Sequence, residues 1–305
     1  MSLPKGFQSL RVYTYAVLAM LFWGLSFVWF KLVVGTYNPI AIIFLRLILS
    51  TCLISLYLLF TRSFQKIAFA DIKWFLLLAF TQPFCYFLGE SFGLQLVSST
   101  ISSVIISTIP LFSPIAAYLA YKERISSEVF IGIVFSFVGI IVMLINPDLS
   151  VSAAPKGVLL LFMAVMSAVG YSVVIKKLAF KYQPSTIIGL QNLIGAVYFL
   201  PLFLIYEAKA FFLVQPDRSV IIALIELTVF ASTLSYLFYI ISIKEIGIVK
   251  ANILTNLIPI FTAVFSFFVL AEQFTFLKLA GMAIVMSGIV ISQYRSIRQS
   301  LARDT

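Results

Sequence analysis

The sequence predicts an all-α polytopic membrane protein: ten transmembrane helices arranged as two inverted five-helix repeats. Three observations carry this. Of 305 residues, 62% are hydrophobic and 10% charged, with mean hydropathy +1.11, so the polar residues are too few to cover a surface facing water. The apolar residues run in blocks of about 18 to 25, longer than the roughly 10 residues of a barrel strand, and inside hydrocarbon only helices then satisfy every backbone group. Finally, residues 98–139 recur at 247–288. A shift of about 149 lays Ile109-Pro110-x-Phe112 on Ile258-Pro259-x-Phe261, Glu123 on Glu272, Gly132 on Gly281 and Gly139-Ile140 on Gly288-Ile289.

In chain order, the apolar runs place helices at about residues 12–34, 38–60, 72–95, 98–121, 128–146, 156–178, 184–206, 219–243, 247–271 and 276–294. The polar start, Met1 to Arg11, leads into a full-length span with no small-residue cleavage site, so no removable signal peptide is expected. Turn residues such as Asn38-Pro39 and Gln183-Pro184 mark the breaks, and the longest connectors are expected at 62–71 and 207–218. The repeat extends through the early helices. A shift of about 146 places Gly24-x-Ser26 and Lys31-Leu32 on Gly170-x-Ser172 and Lys177-Leu178, and one of about 145 places Pro39 and Arg46 on Pro184 and Gln191. The units are therefore 1–149 and 150–305. Because each holds an odd number of helices, the second crosses the membrane in the opposite sense, as in secondary transporters with a solute site near the midplane.

Charge and composition exclude other classes. The net charge of +10 is spread in small groups between apolar runs and forms no single basic face, so nucleic acid is not a partner. About fifteen of the Lys and Arg residues fall on one side, including Arg62, Lys66, Lys73, Lys122, Arg124, Lys177 and Lys181, against about five on the other. That bias puts both termini in the cytoplasm. There is no histidine, Cys52 and Cys85 match no metal or redox spacing, and no phosphate-binding Gly-x-x-x-x-Gly-Lys-Ser/Thr occurs. Neither metal nor cofactor is expected, and an intramembrane enzyme lacks its usual acid-base group.

Trp23-Gly24-x-x-Phe27-x-x-x-Lys31, Pro39, Arg46, Pro110, Glu123-Arg124, Gly132 and Gly139, with weaker copies in the second half, resemble the EamA-type branch of the drug/metabolite transporter superfamily. The resemblance implies two five-helix repeats and a bacterial inner-membrane exporter of amino acids or other metabolites. The second half departs from the pattern at Val169 and Gln191, where the Trp and Arg would fall.

Candidate site residues follow from charge and polarity inside apolar helices. Lys31 is roughly 6 Å from the outer helix end, and Arg46, Glu90 and Glu226 roughly 10 to 12 Å. A lone charge costs on the order of 3 kcal/mol there, so pairing among these four is expected. Glu90, in Gly89-Glu90-Ser91-Phe92-Gly93, is the candidate coupling residue, the glycines admitting another helix beside it. Lys31 and Glu226 are further candidates for solute binding or coupling. Trp23, Tyr86, Tyr171, Tyr236 and Tyr239 suit an aromatic wall for amphipathic or cationic solutes. Asn252 and Asn256, four apart with Thr255 beside them, make a polar helical face aligned with Ser103 and Ser107. Arg46, Glu123, Glu272, Pro110 and Pro259 are expected to brace the fold: arginine by tying several acceptors, the glutamates at helix ends, the prolines as kinks. The partners expected are a small solute, the lipid bilayer and, as energy source, the solute gradient itself or exchanged protons. A lipid or lipid-linked sugar flippase is the alternative on the same architecture.

Overall fold

The computed structural model describes residues 5–121, 127–146, 148, 150 and 153–302, with 5–10, 117, 119–121, 247–250, 252 and 295–302 described by backbone alone. The helical passes are α1 (Lys5–Val33), α2 (Pro39–Thr61), α3 (Phe69–Leu96), α4 (Ser99–Ile106 and Ile109–Tyr121), α5 (Ser127–Leu144), α6 (Pro155–Ala179), α7 (Pro184–Phe211), α8 (Arg218–Glu226, Leu227–Leu234 and Ser235–Leu254), α9 (Leu257–Leu270) and α10 (Phe276–Ala302). Among the described residues, nine spans are long and apolar enough to cross a membrane, and α9 is a shorter apolar helix. The chain is a multi-pass membrane protein.

Local chemistry sets the starts and stops. Proline at the first position opens α2, α6 and α7, where its missing N–H costs nothing. Ser98 caps α4, its hydroxyl accepting from the Ile101 N–H. Arg62 ends α2 in the left-handed region (φ 49°), its N–H closing on the carbonyls of Leu58 and Leu59.

Two expected boundaries moved. The connector placed at 207–218 starts later, because a π turn at Phe203–Glu207 carries α7 on to Phe211. Glu207 is consequently buried and accepts from Asn38 Nδ2 at 3.0 Å, at the start of α2. The gap expected near residue 245 does not interrupt the helical backbone. Lys244-Glu245-Ile246-Gly247 contains no proline, and the break falls instead at Thr255-Asn256.

The inverted repeat is written into the packing of α5 on α10. A Cβ on Gly132 would lie 2.5 Å from the Gly288 carbonyl oxygen, and one on Gly281 would lie 2.5 Å from that of Gly139. Gly132 is the repeat partner of Gly281, and Gly139 of Gly288, so each glycine meets the counterpart of the other. Reciprocal contact of this kind is the signature of a two-fold relation. Ser136 Oγ, bonded to the Val285 carbonyl at 3.4 Å, lies midway along the seam.

The other close approach joins α3 to α6. A Cβ on Gly89 would lie 2.5 Å from the Leu160 carbonyl oxygen, and one on Gly93 3.0 Å from that of Gly157. Backbones this close turn Glu90, between the two glycines, into the interior. The largest apolar cluster, including Met20, Phe30, Ile42, Leu47, Leu94, Ile105, Leu161 and Phe199, joins α1 to α7 around the same region.

Candidate solute cavity between the repeats

A cavity of about 170 Å³ lies among α1, α2, α3, α4, α6, α8 and α9. Its charged wall comes from Arg46 on α2 and Glu90 on α3. The aromatic wall is Trp23, Phe27, Tyr86, Phe87, Tyr171, Tyr236 and Tyr239; Ser26, Gln82, Ser107, Ser113, Ser172 and Thr255 add polar groups.

Arg46 is only 4% exposed, and its Nε–H donates to Ser232 Oγ at 3.0 Å. The guanidinium carbon lies 4.7 Å from the centroid of the Phe87 ring, a stacking arrangement that tolerates a weakly hydrated planar cation. Among the described residues no acceptor takes its Nη groups, so they remain available to a guest. Ser232 belongs to a buried polar cluster in which Ser50 Oγ bonds Thr233 Oγ1 at 2.7 Å and accepts from Asn192 Nδ2 at 2.9 Å. Glu90 is 9% exposed, and its Oε1 accepts from the Tyr86 hydroxyl at 2.8 Å. Arg46 and Glu90 interact electrostatically, yet no direct ion pair joins them. Both charges thus face one apolar space with donor and acceptor capacity unspent.

The tyrosines are held by their own partners. Tyr171 donates to Gln191 Oε1 at 3.2 Å, and Gln82 Nε2 donates to the Tyr236 hydroxyl. Trp23 sits edge-on to Tyr236 and Tyr239, with ring centroids 5.2 and 5.0 Å away.

Helix breaks reach the cavity from both repeats. Before Pro110, Thr108 N–H bonds to the Ile105 carbonyl at 3.1 Å; before Pro259, Asn256 N–H bonds to that of Ile253 at 3.3 Å. Each is a contact three residues back instead of four, which tightens one turn ahead of a proline that cannot donate. Ser107 and its repeat partner Asn256 occupy these breaks. Ser107, Ile109 and Pro110 from one, and Thr255 and Ile258 from the other, line the cavity.

Of the residues singled out in the sequence, Trp23, Arg46, Tyr86, Glu90, Ser107, Pro110, Tyr171, Tyr236, Tyr239 and Thr255 meet at this cavity. Arg46, expected as a brace, has a bracing bond to Ser232 and a face on the cavity as well. The expected four-residue charge layer does not form. Lys31 lies near Glu272 instead, and Glu226 is partly exposed away from the cavity lining. Glu272 Oε2 accepts from the N–H and hydroxyl of Thr100 at 3.3 and 3.0 Å, and its Oε1 lies 3.8 Å from Lys278 Nζ. It thereby ties the end of α9 to the start of α4. Asn256 is buried off the lining with its Oδ1 unpartnered, and Pro259 is buried beside Ile258. The side chain of Asn252, and Glu123 altogether, lie outside the described residues. Gln82 and Phe87 were missed. Gln82 had a signal, a Gln-Pro pair within an apolar helix; its backbone leaves the helical region there (φ −147°, ψ 118°) inside the π-type turn Phe80–Cys85. Phe87 had none among so many aromatics.

Comparisons agree with this architecture. The EamA-like transporter family matches twice, over residues 10–145 and 155–294. An uncharacterized transporter of Archaeoglobus fulgidus is 26% identical, covering 90% of this chain and 95% of its own length. The uncharacterized transporter YcxC of Bacillus subtilis is 25% identical, covering 93% of each. The chloroplastic WAT1-related protein At3g02690 of Arabidopsis thaliana is 25% identical, covering 92% of this chain and 69% of its own. A crystal structure superposes with a TM-score of 0.69 at 14% identity, covering 95% of this chain and 98% of its own, which speaks for the fold. With one family match in each half and the two halves packed about a two-fold seam, the chain belongs to the EamA-like transporter family, within the drug/metabolite transporter superfamily.

Proposed function

We propose that this membrane transporter is a cytoplasmic-membrane exporter of a small zwitterionic or amphipathic metabolite, such as an amino acid, working by alternating access between repeats 1–149 and 150–305. The observation that carries the reading is the pairing, within one aromatic cavity, of a guanidinium with open Nη groups and a carboxylate held by Tyr86. A guest carboxylate suits the planar fork of Arg46, and a guest ammonium suits Glu90 and the faces of Trp23 and Tyr239. Lys31 and Glu226 take no part in solute contact on this reading, and Asn256 acts through the helix break. Arg46 anchors one end of the solute as well as bracing α2 on α8. Glu272 and Pro259 serve the packing of α9.

Both termini are cytoplasmic on the charge bias, and the lining residues of α4, α6 and α8 extend from the level of Arg46 and Glu90 toward that face. The resting cavity then opens inward, ready to load cytoplasmic solute. Glu90 is the proton-exchanging group. Purified protein in liposomes preloaded with a panel of amino acids and amphipathic amines tests the whole reading by counterflow. At least one solute should exchange, and Glu90→Gln should abolish the pH dependence of that exchange. Exchange whose pH profile is the same in the variant rules out Glu90 as the proton carrier.

A further inference from the structure

At the end of the bundle where α3 starts and α6 ends, two lysines approach a single indole. Lys177 Nζ lies 3.6 Å from the centroid of the Trp74 ring, and Lys73 Nζ lies 5.5 Å from it. Both lysines are exposed. The acid nearest in sequence, Asp71, is buried and already committed: it accepts from Lys181 Nζ at 2.9 Å and from the Tyr182 hydroxyl at 2.8 Å. Among the described residues neither Lys73 nor Lys177 has a carboxylate partner. Two cations without a carboxylate partner among the described residues therefore meet at one ring at the end of two spans, the depth at which lipid headgroups lie and amphipathic indoles collect.

Immediately beside them the surface of α3 is hollowed. Phe69, Ala70, Ile72, Lys73 and Leu76 line a shallow, largely apolar depression. Phe69 is 90% exposed and Leu76 43%, so this surface is covered by lipid in the membrane.

We propose that this seam is a binding site for one anionic glycerophospholipid, its phosphate held by Lys73 and Lys177 beside Trp74 and one acyl chain lying in the depression. Charge complementarity selects an anionic headgroup over a zwitterionic one. The adjoining apolar hollow selects a lipid over a free phosphate. The site is separate from the solute cavity, so its fate does not depend on which solute is carried.

The test titrates the full-length protein in detergent with phosphatidylglycerol and with phosphatidylcholine of the same chains, read by native mass spectrometry. One phosphatidylglycerol should bind about tenfold or more tightly than phosphatidylcholine. Lys73→Gln with Lys177→Gln should weaken it about twenty-fivefold, at about fivefold per lysine. Arg62→Gln with Lys66→Gln removes the same charge from the same face, and should leave affinity within about twofold. Equal affinity for the two lipids, or equal loss in both double variants, overturns the site. Displacement by glycerol 3-phosphate at matching concentration overturns the lipid assignment in favour of a simple anion site. All four residues are on the surface, and an unchanged thermal transition confirms folding in either variant.

Discussion

Arginine keeps its charge in hydrocarbon, and Arg46 is satisfied by Ser232 at Nε while it also lines the cavity. Lysine at this position cannot hold Ser232 and also present a fork to the cavity. Arg46→Lys should therefore fold but bind solute roughly ten- to hundredfold more weakly, the worth of a charged hydrogen bond, as read by counterflow affinity. Ser232→Ala removes the acceptor of the buried Nε–H and should cost about 1 to 3 kcal/mol in unfolding free energy; a wild-type melting curve would show that Arg46 is held by other means. At this scale the sequence was partly legible. Glu90 stood out because an acid between two glycines in an apolar helix is tolerated only where that helix face meets protein instead of lipid. Lys31 and Glu226 lie at the right kind of depth, but depth along a helix does not give the direction in which a side chain points. That direction is set by neighbouring helices, and it sends Lys31 toward Glu272 and leaves Glu226 off the cavity lining.

Among the helices, the α5–α10 seam and the α4–α9 tie join the two repeats. Gly139 sits against backbone, its hypothetical Cβ 2.7 Å from the Gly281 carbonyl oxygen, so no side-chain rearrangement makes room. Gly139→Val should destabilise the protein by roughly 1 to 3 kcal/mol, measured by thermal unfolding in detergent. Glu272 joins α9 to Thr100 on α4 at the helix ends opposite the termini, close to Lys31 and Lys278. Glu272→Gln keeps the shape but weakens this charged cap. Cysteines placed along the outer half of the cavity should then be labelled faster from outside by a membrane-impermeant maleimide, and an unchanged rate would make Glu272 a static tether. The helix breaks were half legible. Pro110 and Pro259 announced kinks, whereas the tightened turns two and three residues earlier depend on which carbonyls the prolines release.

For the whole molecule, the alternating access proposed above requires two halves of opposite orientation to leave one compartment accessible at a time. In a background without Cys52 and Cys85, Ser172→Cys in the cavity wall should be labelled from the side bearing the termini and protected from the other. Equal labelling from both sides contradicts an inward-open rest state. The sequence by itself determined the solvent, the helical class, the internal repeat and, through odd helix number, the inversion, because these depend on composition, run length and periodicity. It also marked the glycines at which backbones approach. Only the tertiary structure decided which polar groups share a space: Arg46 and Glu90 are brought to one cavity, Gln82 is added by the unwound turn of α3, and Lys31 and Glu226 are excluded. The physical reason is that side-chain azimuth, not depth, determines contact, and azimuth is fixed by close helix packing and by local departures from helical geometry that no apolar periodicity records.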